Sequence, residues 1–171
     1  TAGFAAHVGS EDMGALFLDA DRDGDPDLFV VSGSVECEPG DASLRDRLYL
    51  NDGAGAFTVV TAVTLPDRRD SGSCVVTADF DRDGDLDLFV GGRVIPGAWP
   101  ETPSSALLRN DGGLGQAKFT DLTASMPGLE KAGLVTGAVC SDVDGDGWID
   151  LLVACEWGPV RVFLNRGGVL S

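Results

Sequence analysis

The stretch Asp19-Ala-Asp21-Arg-Asp23-Gly24-Asp25-Pro-Asp27-Leu-Phe-Val30 decides the fold, because it occurs three times. It returns as Asp79-Phe-Asp81-Arg-Asp83-Gly84-Asp85-Leu-Asp87-Leu-Phe-Val90 and as Asp142-Val-Asp144-Gly-Asp146-Gly147-Trp148-Ile-Asp150-Leu-Leu-Val153. The spacing is 60 residues from Asp19 to Asp79 and 63 from Asp79 to Asp142. Self-similarity at a steady period marks a repeat architecture. A second element follows each copy: Leu48-Tyr-Leu-Asn51-Asp-Gly, Leu107-Leu-Arg-Asn110-Asp-Gly and Val162-Phe-Leu-Asn165-Arg-Gly. A third, Phe57-Thr-Val-Val-Thr61 and Phe119-Thr-Asp-Leu-Thr123, trails the first two.

Each unit reads as four short strands. An apolar strand (15–18, 75–78, 135–140) enters the acidic loop and a second (28–31, 88–90, 151–154) leaves it. The third strand ends at an Asn-Asp-Gly or Asn-Arg-Gly turn, a hairpin signal, and the fourth begins at the Phe. No long helical period is present; residues 122–131 are broken by Pro127-Gly128. Four antiparallel strands repeated at this period predict an all-β chain of β-propeller blades. A β-sandwich would not explain the repetition. The repeats are expected at about 11–64, 72–125 and 133–171, with residues 1–10 resembling the fourth strand of a preceding or C-terminal blade. Three blades fall short of the usual four or more. The sequence therefore predicts either a piece of a longer propeller or a subunit completing its blades with neighbouring copies in a ring or filament.

The loops carry the chemistry. Alternating carboxylates repel one another unless a cation sits between them. Calcium takes six to eight oxygens at about 2.3–2.6 Å. Positions one, three and five supply Asp19, Asp21 and Asp23; Asp79, Asp81 and Asp83; Asp142, Asp144 and Asp146. Position six is always glycine, which permits the sharp turn around an ion. Position seven is Asp25, Asp85 or Trp148, so its expected ligand is the backbone carbonyl. Position nine is Asp27, Asp87 or Asp150 and would close the cage. Three Ca²⁺ sites are expected. An EF-hand would need a bidentate acid at position twelve, where Val30, Val90 and Val153 stand. Magnesium prefers to keep several waters. Zinc and copper favour His or Cys, and the only histidine, His7, lies far from the loops in sequence.

The Asp-x-Asp-x-Asp-Gly-x-x-Asp-Leu-x-Val signature, with the later Leu-x-x-Asn-Asp-Gly-x-Gly-x-Phe, resembles the FG-GAP/VCBS repeats. These occur in the integrin α-subunit propeller and in secreted bacterial proteins. The segment 91–100 is similar to the bacterial branch. The resemblance implies a calcium-stabilised, usually seven-bladed propeller outside the cytoplasm, with calcium in the hairpin between the first two strands. It also carries the ligand roles onto the loop positions named above.

Composition narrows the partners. With 28 acidic against 12 basic residues, the net charge is -16. Such a field repels nucleic acid and anionic membranes. A hydrophobic content of 43% argues against disorder. No apolar run approaches the ~20 residues of a spanning helix, so no membrane insertion is expected. The chain opens at Thr1 with no signal-like segment, which suggests a processed or excised piece. Four cysteines fit an oxidising compartment, and a Cys37–Cys74 bridge between neighbouring units is feasible. Cys140, paired with Leu152 across a hairpin centred on Asp146, reads with Cys155 as a small buried residue. Trp99 and Trp157 can stack on a sugar ring or pack on a blade edge. No nucleophile elbow, phosphate loop or Cys–His pair is present, and no enzyme is expected. The leading expectation is an extracellular structural or adhesive module (cell-surface matrix, fibre subunit or adhesin segment). A glycan-binding lectin and the accessory propeller of a secreted polysaccharide-degrading enzyme are the alternatives.

Overall fold

The computed structural model describes Phe4 and residues 7–60 and 64–171. Among the described residues, eleven strands form three antiparallel sheets. The first sheet runs in the order β1 (Asp12–Leu18), β2 (Asp27–Ser32), β3 (Arg47–Asn51), β4 (Phe57–Val59). The second contains β5 (Ser71–Ala78), β6 (Asp87–Val94), β7 (Ala106–Asn110) and β8 (Phe119–Asp121). The third contains β9 (Leu134–Ser141), β10 (Asp150–Glu156) and β11 (Arg161–Phe163). Each is a meander whose neighbours in sequence pair in space. Short 3-10 segments stand at Ala42–Leu44 and Thr123–Ser125. Among the described residues the sheets form no closed barrel, and no helix is long and apolar enough to cross a membrane.

The repeated Leu-Phe-Val run explains the layering. Successive side chains of a strand point to opposite faces. In β6, Leu88 and Val90 face the first sheet and join Leu18, Phe29, Val31 and Leu48 in one core. Phe89 faces the other way, packing with Val135, Leu151, Val153 and Phe163 in a second core. A strand covered on both faces reads as continuous apolar sequence. Burying each such side chain stabilises by about 1.5–3 kcal/mol. The second sheet thus lies between the other two, with β1 and β2 against β5, and β5 and β6 against β9.

Several details differ from the sequence expectations. The inner strands are longer than their apolar runs, since β5 starts at Ser71 and β6 continues to Val94. Cys140 pairs with Leu151, one residue from the expected Leu152, because Asp150 takes the ladder place opposite Ser141. All four cysteines are free thiols, so no Cys37–Cys74 bridge is formed. Cys74, Cys140 and Cys155 pack on the second core, and desolvation pushes the Cys140 thiol up to about 11.

The third sheet does not stop at β11. The chain turns after Asn165, Leu170 bridges back to Asn165, and Leu164 and Ser171 exchange two 3.1 Å hydrogen bonds. Leu170 is fully buried there. Half of the residues 1–10, read as a fourth strand, lie outside the described residues. Of those described, Phe4 stacks on Tyr49 with centroids 4.8 Å apart, and no strand precedes Asp12. The Phe57–Thr61 element is β4 up to Val59; Thr61 lies outside the described residues.

Candidate metal centres

The three acidic loops are the hairpin connections β1–β2, β5–β6 and β9–β10. Their backbone is built alike. Position six (Gly24, Gly84, Gly147) has φ of 96°, 93° and 89°, a conformation that L side chains rarely adopt. The N–H of this glycine donates to the first aspartate of its own loop at 3.1, 3.1 and 2.9 Å. The residue at position seven donates to the fifth-position carboxylate at 2.9 Å in every copy. Position four is also left-handed, as Arg22 (φ 61°), Arg82 (φ 64°) and Gly145 (φ 75°).

This wrapping gathers carboxylates. Asp19, Asp21 and Asp27 bring oxygens within 4.8 Å of one another, as do Asp79, Asp81 and Asp87. In the third loop the group is Asp142, Asp144 and Asp146. Asp23 and Asp83 remain exposed beside their clusters and accept the position-seven N–H groups. Buried oxygens Asp19 Oδ1, Asp21 Oδ1 and Asp79 Oδ1 have no hydrogen-bond partner. A buried acceptor left unpaired is costly, and here it is the atom a cation would take. The donor set is all oxygen, which suits a hard cation and not a thiophilic one. The residues present therefore fit a metal ion.

The ninth aspartate has a second task. Its two oxygens accept two backbone N–H groups: Asp27 from Ala20 (2.8 Å) and Asn51 (2.8 Å), and Asp87 from Phe80 (3.0 Å) and Asn110 (2.9 Å). Asp150 accepts from Val143 (2.9 Å) and Asn165 (2.7 Å). It clasps the start of the loop to the end of the third strand and is buried in all three copies. Asp27 and Asp87 each still place an oxygen in their clusters; Asp150 lies outside the third cluster, where the sequence expected it to close the cage.

Electrostatics follow from the crowding. Desolvation, followed by the neighbouring acids, raises Asp21 and Asp81 above the usual carboxylate range. Desolvation raises Asp27, opposed by its two N–H partners, and pushes Asp87 up to about 7. A bound cation would reverse these shifts, since it favours the charged form. The third loop differs. Arg166, where the other repeats have Asp52 and Asp111, pairs with Asp144 at 2.6 Å and also with Asp146. Its guanidinium holds Asp144 below the usual range.

Position seven serves the neighbouring loop, which the repeat pattern did not reveal. Asp85 lies 3.0 Å from Arg22 of the first loop, and Arg82 of the second loop stands 4.0 Å over the Trp148 ring of the third. Asparagine makes the parallel link. Asn110 donates to the Ala20 carbonyl and Asn165 to the Phe80 carbonyl, each at 2.8 Å and each across a sheet boundary. Asn51 of the first repeat donates to Pro26 of its own loop at 3.1 Å. Asp25 folds over the Gly53 turn, where a Cβ would meet its Oδ2 at 2.3 Å.

The sheets and their loops define an all-β repeat protein with acidic, cation-competent hairpins. Residues 19–90 match the family model of the FG-GAP-like repeat. The match runs from the first acidic loop through the second and into β6. No curated protein matches the chain.

Proposed function

We propose that the chain is a non-catalytic, calcium-stabilised repeat module of an extracellular protein, its sheets acting as propeller blades. The supporting observation is the recurrence of one device: three carboxylates within 4.8 Å in each of three hairpins, with orphaned buried oxygens in the first two. Calcium is favoured over magnesium because a flexible loop of carboxylates and carbonyls can supply many oxygens at once. Neighbouring loops touch through Arg22–Asp85 and Arg82–Trp148, so ordering the loops around cations steadies the stack. The role that follows is structural or adhesive, within a longer chain or among copies. Calcium saturating the loops at 100 times Kd would add about 2.7 kcal/mol per site. Melting by calorimetry in millimolar calcium should therefore lie well above melting in EDTA, with magnesium restoring less. An unchanged melt in EDTA would overturn the proposal.

A further inference from the structure

The strand ends remote from the acidic loops carry a feature that the metal centres do not use. β1 and β5 begin there, and β6 and β10 end there. A groove of about 370 Å³ opens among them, with Glu11, Met13, Ser34, Arg93, Trp99 and Glu156 in its wall. That is the size of a small-molecule pocket.

Two tryptophans from different sheets meet at its rim. Trp99 follows β6, Trp157 follows β10, and their ring centroids lie 4.9 Å apart at 72°. Packing against each other leaves them 53% and 76% exposed. Trp157 is held at φ 55°, a costly conformation for a bulky residue, of the kind found at ligand clamps. Arg93 and Glu156 bridge the second and third sheets at 2.6 Å and stiffen the wall.

The lining selects its ligand by chemistry. Trp99, Met13 and Val35 offer an apolar surface; Arg93 donates hydrogen bonds, Glu11 and Glu156 accept them, and Ser34 does either. A quaternary ammonium ion would meet the Arg93 charge and leave these groups unpaired. A polyanion would meet two carboxylates and a net charge of -16. A pyranose ring has one apolar face and a rim of hydroxyls that both donate and accept. We propose that this groove binds a neutral oligosaccharide, with one sugar stacked on Trp99 and its hydroxyls on Glu11, Arg93 and Glu156. The site is independent of cation binding at the opposite strand ends.

The test screens the calcium-loaded chain on an array of neutral glycans. Hits and hexagalacturonate are then titrated by tryptophan fluorescence. The expected result is saturable binding of a neutral oligosaccharide with Kd at or below about 1 mM, and hexagalacturonate at least about tenfold weaker. Trp99→Ala and, separately, Glu11→Gln should each weaken binding about tenfold or more, with melting unchanged within about 2 °C. Both side chains are exposed, so both variants are expected to fold. Absence of binding by every neutral glycan, affinity that survives both substitutions, or equal binding of hexagalacturonate would overturn it.

Discussion

Asp150→Ala separates the structural task of the ninth aspartate from metal binding. Asp150 is fully buried, accepts two backbone N–H groups at 2.9 and 2.7 Å, and lies outside the cluster of Asp142, Asp144 and Asp146. Truncation leaves the buried Asn165 N–H and the part-buried Val143 N–H unpaired, at about 1–3 kcal/mol each or about 2–6 kcal/mol together. For a domain of this size each kcal/mol moves the melting temperature by about 2–4 °C, so the midpoint should fall by about 4–24 °C. The assay is thermal unfolding by circular dichroism at neutral pH, with calcium and again in EDTA. Because the clasp acts through N–H groups, the loss should be nearly the same in both buffers. Asp150→Asn keeps one acceptor and should fall between parent and Ala. The contrast is Asp142→Ala, whose loss should be much larger in calcium than in EDTA. A loss for Asp150→Ala that vanishes in EDTA would refute the clasp and make this residue a ligand.

Two other outcomes follow from named contacts. Arg166 occupies the carboxylates of the third loop, so Arg166→Ala should raise the calcium affinity of that loop by a few fold, the modest effect expected of an exposed ion pair. Calorimetric titration reads this directly, and a weaker third site would show that the guanidinium assists. Asp46, whose Oδ1 accepts the Ser32 N–H at 2.9 Å, is pushed up to about 7 by desolvation, with Arg68 and Arg47 opposing and Asp70 assisting. A carboxyl whose folded pKa is raised contributes stability that is fully present below its unfolded value of 3.8 and is lost as pH rises through about 7. At constant calcium, the parent should lose at most about 4 kcal/mol over that window relative to Asp46→Asn. Parallel stability profiles for the two proteins would show that Asp46 ionises freely.

What the sequence determined by itself was local and periodic. Loops of about nine residues bring their own carboxylates together through a glycine at φ near 90°, and that geometry needs no distant partner. The Leu-Phe-Val runs mark the strands that leave each loop, and the Asn-Asp-Gly turns place the hairpins. These signals are short-range, so three copies made them legible. Strand ends were less so, since Ser71, Gly72, Gly91 and Gly92 extend their strands by backbone pairing, with register shifts between, and carry no apolar pattern.

Tertiary structure alone decided what each repeat does for the next. Nothing near Asn110 announces that its amide reaches Ala20, 90 residues away, or that Arg22 and Arg82 accept left-handed backbone while reaching the following loop. Arg166 looked like a turn variant until folding laid it on Asp144 and Asp146. Trp99 and Trp157 were two unrelated loop residues until the stacking of the second and third sheets brought their rings to 4.9 Å. Spacing along a chain records the period of one strand or turn. Contacts between sheets depend on how whole faces pack, and that is set by the summed burial of many side chains rather than by any one motif.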